Sequence, residues 1–140
     1  MQDLVTFISQ HLLLSLAAVF IFVLIVLIEI IRVKRNVFHI TPAKAIQLIN
    51  RENAVVIDVR PQDAYHKGHV IDAISLSPKD VIEASKKLEK FKIRPIIIVA
   101  NTGNEAQKMA ASLLKRGYNA YSLIGGMRTW NEGQHPLIKE

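Results

Sequence analysis

The chain has 140 residues and a net charge of +6 at pH 7, and half of its residues are hydrophobic, which suits one small domain plus one apolar segment. It contains no cysteine, which excludes disulfides, thiolate metal sites and every cysteine-dependent reaction within these residues. Residues 41–140 carry 15 basic and 10 acidic side chains, a modest excess, and because no series of aromatic residues alternates with the basic ones we expect no nucleic-acid partner.

The first predicted element is an apolar segment at residues 12–31. Residues 12–28 carry no charge and no proline, and Glu29 is the only ionisable residue of the segment. About 20 helical residues at about 1.5 Å each match a hydrocarbon core of about 30 Å, so we predict a transmembrane helix in contact with the lipid bilayer. A cleaved signal peptide is the alternative, but residues 1–11 contain no Lys or Arg, which such a peptide needs.

Charges on the two sides of this segment predict its orientation. Arg32, Lys34 and Arg35 follow it, whereas Asp3 precedes it, so the C-terminal side is expected to be cytoplasmic. The predicted organisation is a short non-cytoplasmic tail at residues 1–11, a transmembrane helix at residues 12–31, a basic juxtamembrane linker at residues 32–40 and a domain at residues 41–140.

The domain begins with a predicted helix and a predicted strand. Thr41 followed by Pro42 is typical of a helix start. We expect this helix to run to about position 50 and to bury Ile46 and Ile49. The nearly continuous apolar run at residues 54–59 predicts a strand that is covered on both faces.

A second strand and a helix are predicted next. Residues 73–76 predict a short strand, and Ser77 with Pro78 repeats the helix-start signal. Apolar residues then recur at helical spacing and predict one continuous helix, with its buried members at Val81, Ala84, Leu88 and Phe91. The lysine-rich run at residues 86–94 is most simply the solvated face and exit of this helix.

The remaining elements complete an alternating pattern. Residues 95–100 and 120–123 predict strands, and between them lies a helix that Gly117 ends, with an apolar face of Ala106, Met109, Ala110, Leu113 and Leu114. A short helix is expected at about residues 127–131. Alternating helices and strands predict an α/β domain of three layers with a mostly parallel central sheet. Since sites in such sheets form where strands end, residues 100–105 are the main candidate site.

Three segments resemble the rhodanese-like domain family in that family's order and spacing. The sequence VIDVR, with Asp58 and Arg60, resembles its Asp-x-Arg strand end. The sequence YHKGHV, with His69, resembles its aromatic-x-x-Gly-His stretch, and GGMRTW, which begins at Gly125, resembles its closing Gly-Gly-x-x-x-Trp. The resemblance covers about residues 41–140. It implies the rhodanese-like fold and, with one span ahead of the domain, a protein of the bacterial inner membrane.

Most of these matched residues also have simple structural explanations. Asp58 and Arg60 fit a local ion pair, and His69 fits a structural turn residue. Trp130 is expected in the core, while the paired glycines at positions 125–126 supply positive φ angles. A supporting or binding role for Asp58, Arg60, His69 or Arg128 stays open from sequence.

The loop that would carry the family's chemistry is altered. The family pattern is Cys-x-x-Gly-x-Arg, in which the thiolate accepts a sulfur atom as a persulfide, whereas this sequence reads ANTGNE, namely Ala100, Asn101, Thr102, Gly103, Asn104 and Glu105. Ala100 occupies the nucleophile position and Glu105 the basic one, so catalysis by sulfur transfer is excluded. Thr102 and Glu105 have the spacing of a capping box, and no histidine is placed by sequence to activate Thr102. We expect no cofactor and no metal.

Two classes of function follow from this sequence. The first is a membrane-tethered interaction module that presents the former active-site face to another membrane or membrane-associated protein. The second is a small-anion or ligand-binding domain, or a non-thiol enzyme, that uses the same loop. A domain that only stabilises or spaces the membrane anchor is a third possibility.

Overall fold

The computed structural model describes residues 1–36, 39–84 and 86–140, and the chain divides into two compact units, Met1–Val37 and Phe38–Glu140. The first unit holds helix α1 (Gln2–Gln10), inside the predicted tail, and helix α2 (Leu12–Asn36). Within α2, Leu12–Arg32 is long and apolar enough to cross a membrane, with a mean hydropathy of 3.1 and none of it buried inside the protein. By length and composition, this helix fits either a membrane span or a signal sequence.

In the second unit, helices and strands alternate as the sequence predicts. In chain order they are β1 (His39–Ile40), α3 (Pro42–Glu52), β2 (Val55–Asp58), α4 (Gln62–Lys67), β3 (His69–Val70), β4 (Ile74–Ser75), α5 (Pro78–Ile82), α6 (Lys86–Glu89), β5 (Ile96–Val99), α7 (Gly103–Lys115), β6 (Ala120–Leu123), α8 (Gly126–Glu132) and β7 (Leu137–Ile138). The capping residues Thr41 and Ser77 start α3 and α5, and each side chain accepts a backbone hydrogen bond there.

The region predicted as a linker, residues 32–40, includes regular structure at both of its ends. Helix α2 continues to Asn36, and His39 and Ile40 form β1, which pairs with β6. Val37 and Phe38, which also belong to the predicted linker, lie outside the described residues, as do the side chains of Lys34 and Arg35. A two-residue strand is too short to show a sequence period, so only its pairing partner reveals it.

Five parallel strands form the central sheet, in the order β1-β6-β5-β2-β4. Alternate residues of β5 point to opposite faces: Ile96 and Ile98 pack with α7 in one apolar cluster, and Ile97 and Val99 belong to a second cluster that includes Trp130. Helices therefore cover both faces, which confirms the predicted three-layer α/β fold. The short strands β3 and β7, which the sequence did not predict, pair separately and antiparallel.

The predicted continuous helix after Ser77 is wrong. Helix α5 ends at Ile82, and Ala84 has a left-handed backbone with φ +46°, which stops a right-handed helix. A separate short helix, α6, follows, and Phe91 lies buried beyond its end. The apolar spacing correctly predicted the burial of Val81 and Leu88, but it did not predict the break between α5 and α6. Ser85, which the predicted helix includes, lies outside the described residues.

Other predicted faces are confirmed with small changes. The buried face of α7 comprises Ala106, Met109, Ala110 and Leu113, with Leu114 partly buried. Gly117 follows this helix with φ +86°, as expected of a residue that ends a helix. On α3, Ala45 and Leu48 are fully buried, whereas Ile46 and Ile49 are only partly buried and pack at the margin of the second cluster.

Candidate functional site

The loop of residues 100–105 follows β5 at the carboxyl end of the parallel sheet. Ala100 is completely buried, and its carbonyl oxygen accepts a hydrogen bond from the backbone N–H of Met127 at 3.3 Å. Asn101, Thr102, Asn104 and Glu105 are exposed. A buried methyl group thus occupies the nucleophile position, and polar side chains surround it at the surface.

Close packing against α8 holds this loop in place. Gly126 has φ +60°, and a Cβ atom there would collide with the carbonyl oxygen of Ala100 and lie 2.8 Å from that of Asn101. Gly103 approaches the backbone nitrogen of Gly125 in the same way, at 3.3 Å from an added Cβ. Gly125 has φ +69°, so the predicted positive φ angles of both paired glycines are confirmed.

The predicted capping box at the start of α7 does not form. Thr102 is the N-cap residue as expected, but its side chain makes no capping hydrogen bond. Glu105 is exposed and lines a groove beside the loop. Thr102 therefore occupies the N-cap position without making the side-chain hydrogen bond of an N-cap, and Glu105 presents its carboxylate to the groove.

A groove of about 560 Å³ opens where β2, β4 and β5 end. Its lining comprises Val59, Arg60, Pro61, Gln62, Ser75, Leu76, Ser77, Pro78, Asn101, Glu105 and Met109. The sequence identified only Arg60, Asn101 and Glu105 of this set. Apart from Met109 of α7, the missed members come from the end of β4 and from the residues after β2 and β4, and their position at the ends of predicted strands was the available signal. Gln62 donates to the hydroxyl of Ser75 at 2.9 Å across this groove.

The guanidinium of Arg60 is held inside the domain through its Nε and Nη2 atoms. It donates to both carboxylate oxygens of Asp58 at 2.7–3.1 Å and to the carbonyl oxygen of Gly68 at 2.7 Å. The side chains of Arg60 and Asp58 are 8% and 1% exposed. This buried pair matches the local ion pair expected from sequence, and it neutralises the only cation in the groove lining.

His69 and Arg128 lie away from the groove lining. His69 is buried, stacks on the Tyr65 ring with centroids 3.8 Å apart, and its Nδ1 lies 2.9 Å from the Tyr65 carbonyl oxygen. Arg128 is exposed and pairs with Glu132 at 3.0 Å. Burial, together with the charges of Glu140 and Asp58, raises the pKa of Tyr65 above its usual value. Arg60 therefore lines the groove beside the loop, with Asp58 paired to it, whereas His69 and Arg128 are not among the described lining residues.

The chemistry available in the groove is limited by its side chains. Ser75 and Ser77 supply hydroxyls, and no histidine lines the groove, so neither hydroxyl has a neighbouring imidazole as general base. Among the residues that the structure describes, no three His, Asp or Glu side chains cluster as metal ligands. The charge that remains unpaired in the lining belongs to Glu105, so the groove favours a cationic or amide-bearing group over an anion.

These features define a rhodanese-like domain, and comparison with known proteins agrees. The profile of the rhodanese-like domain family matches residues 41–133. The chain belongs to this family, although it lacks the cysteine on which the family's sulfur transfer depends.

Two curated relatives match over long stretches. The uncharacterized protein YibN of Escherichia coli strain K12 is 34% identical over 142 residues, covering 99% of each chain. A thiosulfate sulfurtransferase, GlpE of Coxiella burnetii, is 36% identical over 99 residues, covering 70% of this chain and 90% of its own. The first resemblance thus includes the N-terminal helices, whereas the second covers less of the chain.

Solved structures share the fold. A full-length protein from Lactobacillus plantarum superimposes with a TM-score of 0.67 at 21% identity, covering 81% of this chain and 96% of its own. The BH2092 protein from Bacillus halodurans gives a TM-score of 0.65 at 26% identity, covering 77% and 81%.

Proposed function

We propose that this chain is a membrane-tethered, catalytically inactive rhodanese-like domain that binds another protein through its former active-site loop. In this proposal α2 spans a bacterial inner membrane, the N-terminus lies outside, and the domain lies at the cytoplasmic face. The observation that carries it is the exposed polar row of Asn101, Thr102, Asn104 and Glu105 on a tightly packed loop without a nucleophile. We call residues 101–105 the loop face.

The loop face combines rigidity with exposed hydrogen-bonding groups. Gly126 and Gly103 allow the backbones of the loop and α8 to approach closely, so the loop need not be ordered when a partner binds. Preorganised surfaces lose less conformational entropy on association. The adjoining groove of about 560 Å³ offers space for a partner side chain beside the carboxylate of Glu105.

Tethering supports this function in a second way. A domain held at a membrane meets membrane proteins at a raised effective concentration, so weak contacts suffice. The charges of Arg32, Lys34 and Arg35 support a cytoplasmic position by the positive-inside rule. A retained span rather than a cleaved signal sequence is part of this proposal.

Site-specific photo-crosslinking in native membranes tests the proposal. A photoreactive amino acid replaces exposed Asn101, and the matched control carries it at exposed Lys139, outside the loop face and the groove lining. We expect a discrete adduct from position 101 alone, whose partner mass spectrometry identifies. Equal adducts from both positions, or none from position 101, would contradict a binding role for the loop face.

The alternative is a small-ligand site or a non-thiol enzyme in the same groove, which its volume of about 560 Å³ favours. Glu105 argues against an anionic ligand, since its carboxylate repels one and Arg60 is already paired with Asp58. A thermal shift of the full chain with phosphate, thiosulfate or nucleotides would favour this alternative. We expect no shift with any of them.

A further inference from the structure

The segments that lead into β2, β5 and β6 carry the positive charge of the domain. They are residues 51–54, 86–95 and 115–119, and we call them the basic end. They contain eight Lys or Arg and two Glu, whereas the rest of residues 41–140 contains seven basic and eight acidic residues. The positive net charge of the domain is therefore concentrated in the segments where these strands start, and the rest of the domain carries no positive excess.

Side-chain contacts join these segments into one surface. Arg94, before β5, donates to the backbone and side-chain oxygens of Asn53, before β2, at 2.7 and 3.1 Å. The ammonium group of Lys92 lies 5.6 Å from the centroid of the Tyr118 ring, before β6. Of the eight basic residues, only Arg94 is partly buried; the other seven are exposed.

An isoleucine projects from the middle of this surface. Ile93, between Lys92 and Arg94, is 95% exposed, while the other exposed large apolar side chains described in Phe38–Glu140 are 38–48% exposed. A single exposed apolar residue needs no explanation by itself. A nearly fully exposed isoleucine surrounded by lysines and arginines, however, has the composition of an interfacial anchor: the apolar side chain enters the headgroup region and the cations remain at its surface.

The route of the chain favours a lipid surface as the occupant. Because β1 is parallel to β5 and β6, the chain reaches β1 from the side of the sheet on which the basic end lies. Only two residues separate Asn36, the last residue of α2, from His39. With α2 in a membrane, as proposed, the tether keeps the domain within reach of the lipid headgroups, whose anionic surface complements the charge of the basic end.

From charge, exposure and connectivity, we infer that the basic end docks on an anionic phospholipid surface, with Ile93 inserted among the headgroups. The inference rests on the proposed membrane tether. It also deepens the proposed function, since β5 starts at the basic end and finishes at the loop face, so docking directs the loop face away from the membrane.

A fluorescent probe at position 93 tests this docking. The chain contains no native cysteine, so Ile93→Cys takes a single polarity-sensitive dye in the full chain, reconstituted in nanodiscs with or without phosphatidylglycerol. We expect blue-shifted emission and quenching by lipid-borne quenchers only with the anionic lipid. The matched control, Asn101→Cys with the same dye, stays water-exposed in both. A water-exposed probe at position 93 in the anionic nanodiscs would overturn the inference.

Charge variants separate lipid attraction from other causes. Each Lys near an anionic surface contributes about a fivefold change in equilibrium, so K86Q/K90Q/K92Q lowers the docked-to-free ratio about 100-fold. The control K67Q/K108Q/K139Q removes the same amount of charge outside the basic end and leaves the dye signal unchanged; equal losses in the two triple variants would overturn the inference.

Burial of the dye in native membranes but not in anionic nanodiscs would instead indicate an acidic protein partner. If the dye at position 93 stays water-exposed while the crosslink from position 101 still forms, docking alone is overturned. If the chain fails to insert into the membrane, both the tether and docking are overturned.

Discussion

Gly126 lies against the loop face so closely that no side chain fits at this position. Its φ of +60° and the nearby carbonyl oxygens of Ala100 and Asn101 both exclude a Cβ atom. The loop therefore packs closely against α8, while the reactive side chain of the family pattern is absent from it. At the scale of single residues, the packing of the loop and its chemical reactivity depend on different positions, and each leads to a separate prediction.

Gly126→Ala is expected to destabilise the domain by about 3 kcal/mol or more, because a left-handed backbone costs about 1–2 kcal/mol and the collision with two carbonyl oxygens adds to it. Urea unfolding of the full chain in detergent measures this free energy. Gly117→Ala is the matched control: its φ is +86°, but only the end of the Lys92 side chain is near. Equal losses in the two variants would contradict the close packing of loop and α8.

Ala100→Cys is expected to restore little persulfide formation from thiosulfate. A thiolate at this buried position is disfavoured by desolvation and by the like charge of Glu105 in the same loop, and the same carboxylate repels the anionic donor, which must transfer sulfur and release sulfite. The double variant Ala100→Cys/Glu105→Arg should react at least about tenfold faster, which corresponds to about 1.4 kcal/mol of barrier. Persulfide is measured by mass spectrometry, with Ala100→Cys/Glu132→Arg as control. Equal rates of persulfide formation in all three variants would show that the charge of Glu105 does not control the reaction at position 100.

At the scale of elements, the helix caps show how far sequence signals extend. Thr41 and Ser77 both accept the hydrogen bonds that their positions predict, at 3.3 and 3.1 Å. Thr102 starts α7 without such a bond, although its spacing to Glu105 fits a capping box. The cap position followed from sequence in all three helices, but the contact depended on where the loop packs.

Ser77→Ala is therefore expected to cost about 1 kcal/mol of unfolding free energy, the usual value for a lost N-cap. Thr102→Ala should cost less than about 0.5 kcal/mol, as expected of a surface substitution without such a contact. Urea unfolding of the two variants, compared in one detergent, measures the difference. A larger loss for Thr102→Ala would mean that the capping box forms in solution.

The elements that the sequence missed depend on distant pairing. Apolar runs and helix-start signals identified α3, β2, β4, β5, α7 and β6, because each carries its own period or cap. Strands β1, β3 and β7 have two residues each, as β4 does, but no predicted strand run such as residues 73–76 surrounds them, and they are defined by partners far along the chain. Ala84 adopts its left-handed backbone without a glycine to signal it, so the break between α5 and α6 was hidden.

The candidate site was partly predictable for the same reason. Residues 100–105 follow a strongly apolar strand and were located from sequence. Gln62, Ser75 and Ser77 line the same groove but come from other strand ends. Their convergence depends on the strand order β5-β2-β4, which no local pattern encodes.

At the scale of the whole molecule, membrane tethering requires that α2 remain attached to the domain. We expect the purified membrane-bound protein to retain Leu12–Arg32 on the same polypeptide as the domain, which mass spectrometry of its N-terminal peptides measures. Membrane association should also resist extraction at high pH, as an integral span does. A mature chain that begins after Leu12–Arg32 would identify α2 as a signal sequence and contradict the tether.

The most direct test of the central claim is the dependence of the position 101 crosslink on Glu105. With the photoreactive group at Asn101 in native membranes, Glu105→Arg should lower the adduct yield at least about tenfold, since reversing the unpaired charge of the groove disfavours the cationic or amide-bearing partner group. The control Glu132→Arg reverses an exposed charge on α8, outside the groove lining, and should leave the yield unchanged. An adduct that persists fully in Glu105→Arg would contradict a binding role for the loop face.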